Sequence, residues 1–212
     1  MLWLFKSNDL VRQYQHYRTV FRELNHKIIK TYFNRALIEK SARMLKLGQN
    51  NQLALDSVGD LDVLMDFALY EIRQTDGKNF LERYAEENHG DDAIERNLLM
   101  AMLKARTGLF KVSKVLKNKR QMVCENLTLP EASAALTDIN LAKTIEEGLI
   151  VFMRPICMSK FTMTSGIAFV FPSTLEQELL HHWKRFDAKS NADRYAWFFK
   201  KSKQSGLEIA YR

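Results

Sequence analysis

Residues Thr107–Leu127 read TGLFKVSKVLKNKRQMVCENL and interrupt a chain otherwise patterned as helix. Between Leu109 and Lys117, Phe110, Val112 and Leu116 alternate with Lys111, Ser113 and Lys117. A period of two marks a strand with one buried face. Lys114 is the exception, falling on the apolar side. KNKR reads as a turn and RQMVCENL as a second strand. TLPEAS turns again, and SAALTDINLAKT has room for one or two short strands. EEGLIVFMRPI is the clearest strand, and KFTMTSG and GIAFVFP finish the set. Five or six short strands in residues 107–172 predict a small antiparallel sheet curled into a barrel.

Helical patterning flanks this unit. In SNDLVRQYQHYRTVFRELNHKIIKTYF, Tyr14, Tyr17, Phe21, Leu24 and Ile28 recur at three- and four-residue steps and make one stripe. Ser7, Asn8 or Asp9 is the expected cap. The pattern runs on through NRALIEKSARMLKLG, with a bend near Asn34 and a stop at Gly48. GDLDVLMDFALYEIRQTDG predicts a helix burying Leu61, Leu64, Met65, Ala68, Leu69 and Ile72. Two shorter helices follow in GKNFLERYAEENHG and DDAIERNLLMAMLKARTG. After Pro172, STLEQELLHHWKRF places Leu175, Leu179, Trp183 and Phe186 on one face, with Ser173 or Thr174 as cap. NADRYAWFFKKSKQSG closes the chain's helices. The expected fold class is α+β. A helical region (1–106), a small antiparallel β unit (107–172) and two closing helices (173–212) pack as one compact domain.

With 46% apolar and 27% charged residues, the composition is that of a globular protein. No apolar run is long enough to span a membrane, and the start does not read as a signal peptide. Cys124 and Cys157 stand outside any metal-ligand spacing, so unpaired thiols in the cytoplasm are expected. The charge balance is +7 over residues 1–48, −7 over 49–105, +4 over 106–172 and +3 over 173–212. The basic first segment and the acidic second are expected to pack together and neutralise each other. The alternative is a basic face for an acidic partner.

RELNHKIIKT, VLMDFALYEIR with GKNFLERYAEEN, and LLMAMLKARTGLFKVSKVL together resemble an uncharacterised bacterial family found mainly in cyanobacterial genomes. The resemblance covers most of the chain. It implies a helical N-terminal half, a small β unit, a helical tail and a cytosolic setting, and it carries over no site residues. Some relatives of this type carry a cysteine-rich metal-binding tail. LEIAYR has no cysteine, so metal binding is not carried over.

Glu23–His26, Glu86–His89 and Glu178–His181 share the Glu-x-x-His spacing of di-iron bundles. All three pairs fall away from the apolar stripes, so no metal site and no cofactor are expected. His181 and His182 diverge by about 100° on a helix, which disfavours a joint site. No phosphate-binding glycine loop and no Gly-x-Ser-x-Gly elbow occurs. What remains is two basic-aromatic stretches. Lys111, Lys114, Lys117, Lys119 and Arg120 project from the first strand and its turn. Arg194, Tyr195, Trp197, Phe198, Lys200, Lys201 and Lys203 lie on the last helix. Cations contact phosphates, and exposed rings stack on bases or fill protein interfaces.

The first expectation is therefore a non-enzymatic cytosolic binding or adaptor protein whose partner is another protein or a second copy. Nucleic-acid binding on the basic rim of the β unit is the alternative. An enzyme without a recognisable motif is the third reading. A positive groove would favour nucleic acid, an apolar patch a protein partner, and a deep polar pocket an enzyme.

Overall fold

A computed structural model describes residues 2–49, 52–55, 57–129, 133–186 and 191–207. Helix α1 (Leu2–Tyr32) begins upstream of the expected cap. Nothing in LWLFKS breaks a helix, and Asp9 instead accepts a hydrogen bond from Gln13 Nε2 within it, at 3.2 Å. Its stripe is internal as expected: Phe21, Leu24 and Ile28 are buried, and Tyr17 is half-buried against the core. The bend falls where Asn34 caps α2 (Arg35–Leu45), its side chain accepting from the Leu37 amide. The stop is Lys46, at φ 59° and ψ 34°, and not Gly48. Lysine tolerates that left-handed turn at a cost of about 1–2 kcal/mol. Gly48 instead enters a short hairpin, β1 (Gly48–Gln49) with β2 (Gln52–Leu53).

Helix α3 (Val58–Tyr70) departs from the one-stripe reading. Val63, Leu64, Phe67, Ala68, Leu69 and Tyr70 are all buried, whereas Leu61 is exposed. From Val63 onward the helix lies inside the molecule, against α2, α4 (Phe80–Glu87) and the barrel, and that part is apolar nearly all round. Helix α5 (Ala93–Lys104) leads into the barrel.

The barrel is closed, in the order β3 (Gly108–Leu116), β4 (Gln121–Asn126), β5 (Ala134–Thr137), β7 (Thr162–Phe171), β6 (Ile150–Cys157). One pairing is parallel, β5 with β7 through Leu136 and Thr162, where an antiparallel sheet was expected. Closure demands it, because the β5–β6 connection runs through a short helix, α6 (Leu141–Thr144), and not a second strand. Asp138 holds the start of that helix, Oδ1 accepting from the Asn140 and Leu141 amides. The anomaly at Lys114 is a bulge: the register shifts by one residue between Val112 and Lys114, turning Ser113 and Lys114 both outward. KFTMTSG and GIAFVFP are one strand, β7, with the register shift opposite Met153–Pro155 accommodated around Gly166, at φ 106°.

Strand alternation gives the barrel two apolar faces. Phe110, Val112, Met122, Cys124, Val151 and Met153 fill the interior. Ile150, Phe152, Ile156, Phe169 and Phe171 face outward into the larger helical core. There α7 (Glu176–Arg185) and α8 (Asn191–Ser205) cover them. Helix α7 starts from a 3-10 turn over Ser173–Leu175 with no side-chain cap. Leu179 is fully buried, as its face predicts. Phe198 stacks on Phe152 at 4.4 Å and Phe152 on Phe169 at 5.6 Å. Among the described residues, no helix is long and apolar enough to cross a membrane. Both cysteines are free thiols, Cys124 buried and Cys157 exposed.

Candidate functional site

Arg154 lies in β6 between Phe152 and Ile156, on the face turned to the helices, and is 3% exposed. A guanidinium in that position needs compensation. Helix α3 and its C-cap supply it. Arg154 Nη2 donates to Glu71 Oε1 at 2.7 Å and to Asp66 Oδ2 at 3.3 Å. The guanidinium carbon lies 3.9 Å from the centre of the Tyr70 ring. Burial alone would lower the Arg154 pKa; Asp66 and Glu71 outweigh it and hold the group above its ordinary value. Burial pushes the Tyr70 and Tyr195 hydroxyls up, keeping both as neutral phenols.

Arg154, Tyr70 and Glu71 line a cleft of about 580 Å³ between the helical layer and the barrel. That is a size typical of small-ligand sites. Arg154 Nε and Tyr70 Oη are buried without hydrogen-bond partners. Lys40 of α2, Arg73, Asn79 and Glu82 beside α4, Arg106 after α5, and Asn191 and Asp193 of α8 complete the polar lining. Several of these are already engaged. Arg73 pairs with Glu82 at 2.5 Å. Asn79 and Glu82 form a reciprocal cap at the start of α4. Arg106 Nη1 donates to the Leu103 and Ala105 carbonyls at 2.7 and 2.8 Å. No carboxylate pairs with Lys40 or Arg106 among the described residues. The N-terminal residues of α8 face the same cleft, adding the positive end of a helix dipole.

A second network ties α1 to the barrel. Arg18 Nη2 donates to Asp138 Oδ2 at 3.1 Å and Thr164 Oγ1 at 2.8 Å, and Arg18 Nε donates to the Tyr14 hydroxyl at 3.0 Å. Thr164 Oγ1 donates in turn to Asp138 Oδ2 at 2.8 Å. These groups satisfy one another, and the network acts as a staple.

The positions singled out from sequence do not make one surface. Phe198 is fully buried and Arg194 is 8% exposed, so neither is a surface contact. Arg194 is used internally: Nη1 donates to Asn191 Oδ1 at 3.0 Å, and the guanidinium carbon lies 4.2 Å from the centre of the Trp183 ring. Lys111 pairs with Glu176 at 2.9 Å and Lys201 with Glu178 at 2.7 Å, both on α7. Trp197 is half-buried, stacked on His182 at 4.0 Å. Lys200 is exposed on α8. Lys117, Lys119 and Arg120 are exposed on the β3–β4 turn, but Glu146 and Glu147 line the same hollow as the two lysines. The Glu-x-x-His residues Glu23, His26, Glu86, His89, Glu178 and His181 are all exposed. Among the described residues no cluster of His, Cys, Asp or Glu has metal-binding geometry.

Sequence reasoning passed over the Arg154 cluster. Its signal is a lone charge inside each of two apolar runs, Arg154 in LIVFMRPI and Asp66 in VLMDFAL. Searches among curated proteins and among solved structures find no match. A family model matches residues 8–212, nearly the whole chain, and the chain belongs to that family, the family of unknown function DUF7986.

Proposed function

We propose that the protein is a cytosolic, non-enzymatic binding protein whose cleft takes a small ligand with an anionic group. The observation that carries this reading is Arg154, a buried guanidinium in the lining with Nε unpartnered. Lys40, Arg106 and the backbone amides at the start of α8 add positive potential where such a group would sit, with the carboxylate of Asp193 opposing. A binding role fits better than catalysis. No histidine, cysteine or serine is among the described lining residues, and Glu71 and Glu82 are held in ion pairs. The two free thiols fit a reducing compartment.

The test is thermal stability in inorganic phosphate and in citrate against chloride at matched ionic strength. A ligand at a hundred times its Kd stabilises by about 2.7 kcal/mol. The expected result is a saturable rise in Tm that Lys40→Gln weakens. No anion-specific rise, or one indifferent to Lys40→Gln, overturns the reading.

The exposed cations of the β3–β4 turn favour nucleic acid as a second reading, with Glu146 and Glu147 opposing it. Log affinity for single strands should then fall with log salt at about −0.7 per phosphate contact. Lys117→Gln with Arg120→Gln should flatten that slope. Absence of oligonucleotide binding at low salt removes this reading and leaves the cleft untouched.

A further inference from the structure

The extended segment Ala105–Thr107 lines the cleft and also a second concavity, a groove of about 570 Å³. The groove runs past the end of α5, the start of β3, Thr128 and Leu129 after β4, and the end of β6. Leu129, Pro155 and Trp183 give it apolar walls, and Phe110, whose side chain belongs to the barrel interior, adds only an edge to the lining. Leu129 is 66% exposed at its mouth, the most exposed large apolar side chain among the described residues. The charged side chains of the described lining are Lys104 and Arg106, both exposed, and no carboxylate accompanies them.

These features are unlike those of the cleft, where acids and bases alternate. Two exposed cations beside an apolar channel match a molecule with an anionic head and an apolar chain. The chain would remove Leu129 and the other apolar walls from water. The head would meet Lys104 and Arg106, which have no carboxylate partner among the described residues. A neutral apolar ligand would leave the charge of Lys104 and Arg106 unanswered, and a small anion would leave the groove walls wet. We propose that this groove binds a single-chain amphiphile with an anionic head group, the chain against Leu129, Pro155 and Trp183 and the head on Lys104 and Arg106. The groove and the cleft share Arg106, but Lys104 lines the groove alone and Lys40 lines the cleft alone, so variants at those two positions test the sites separately.

The chain carries its own reporter. Cys157 is exposed and lines the groove, whereas Cys124 is fully buried inside the barrel, its thiol pushed up by burial to about 12. Alkylation of the native protein by N-ethylmaleimide, an uncharged reagent, should therefore read Cys157, with Cys157→Ser as the control. Myristate below its micelle-forming concentration is the probe. At ten times its Kd it should slow alkylation about tenfold, in proportion to the free fraction. Acetate, which has the head alone, and monomyristoylglycerol, which has the chain without the charge, should protect far less. Lys104→Glu lies on an exposed side chain and should weaken protection by myristate, with circular dichroism confirming its fold. Lys104→Gln should fall between that variant and the wild type. No protection by myristate, equal protection by the neutral glyceride, or protection only by anionic vesicles overturns the proposal. Failure in the phosphate and citrate experiment bears on the cleft alone.

Discussion

Arg154 Nη2 and Glu71 Oε1 lie 2.7 Å apart across the boundary between barrel and helical layer, joining positions 83 residues apart in sequence. Around that contact the packing is apolar: Phe152 and Ile156 on the barrel side, Phe67 and Ile72 on the α3 side. Apolar contact is non-directional and tolerates sliding. A buried ion pair does not, because any shift of α3 along the barrel strands a charge in a dry interface. The cluster therefore fixes how the two layers register, and it holds Tyr70 and Glu71 in the wall of the cleft.

Arg154→Met should destabilise the protein by about 3–5 kcal/mol, since it leaves Asp66 and Glu71 buried without their cation. Urea denaturation measures this. Adding Asp66→Asn and Glu71→Gln to the same chain should recover much of the loss, because the buried charge then disappears with its partner. A single variant as stable as the wild type would show that water reaches the site.

Gly90 and Gly148 share nearly the same backbone conformation, at φ 85° and 86°, but not the same surroundings. A Cβ on Gly148 meets nothing within 4 Å, whereas one on Gly90 lies 2.7 Å from the Arg96 backbone nitrogen. Gly148→Ala should cost only the left-handed strain, about 1–2 kcal/mol. Gly90→Ala should cost that and a further amount of about 1–3 kcal/mol, because backbone cannot step aside as a side chain can. Equal midpoints in denaturant would contradict the difference.

What was legible in the sequence was periodic. The stripe from Tyr14 to Ile28 and the alternation from Phe110 to Leu116 are local patterns that tertiary packing reinforced. The barrel itself was legible, but its one parallel contact, Leu136 with Thr162, was not, because it depends on where α6 returns the chain. The burial of α3 on several faces from Val63 onward was hidden for a similar reason: a stripe reports one covered face. Basic-aromatic composition misled at α8. Phe198 and Arg194 resemble an interface in sequence, but the outer face of the barrel uses up the aromatics, and Trp183 and Asn191 take the guanidinium.

The opposed charges of the first two segments meet at few points. Lys27 of α1 reaches Asp91 at 2.6 Å and Glu95 at 2.8 Å, and these bonds raise its pKa. Arg22 is exposed, with no ion pair among the described residues. Lys27→Met should lower stability by about 1–3 kcal/mol, because it leaves the buried Glu95 carboxylate without its cation. Arg22→Glu should leave Tm almost unchanged. If Arg22→Glu destabilised the protein more than Lys27→Met, neutralisation between the segments would be acting through the field at large, and high salt should then narrow the gap.

The pH dependence of stability should carry a component from His182. Its ring stacks on Trp197 at 4.0 Å, and its pKa is lowered, first by burial and then by the nearby charges of Arg185, His181 and Lys201, with Glu178 opposing. A base whose pKa is depressed on folding takes up its proton more readily in the unfolded chain. The stability linked to it is thus present above the ordinary imidazole range, near 6.5, and is lost as pH falls through that range toward the folded value. Melting temperature should drop between pH 8 and pH 5, and the drop should be smaller in His182→Gln. Indole fluorescence gives an independent reading, because a protonated imidazole against Trp197 quenches it. The wild-type signal minus that of Trp197→Phe should titrate with a midpoint below 6.5. A midpoint at or above that value, or identical pH profiles for wild type and His182→Gln, would show that the stacked ring is as accessible to protons as a free one.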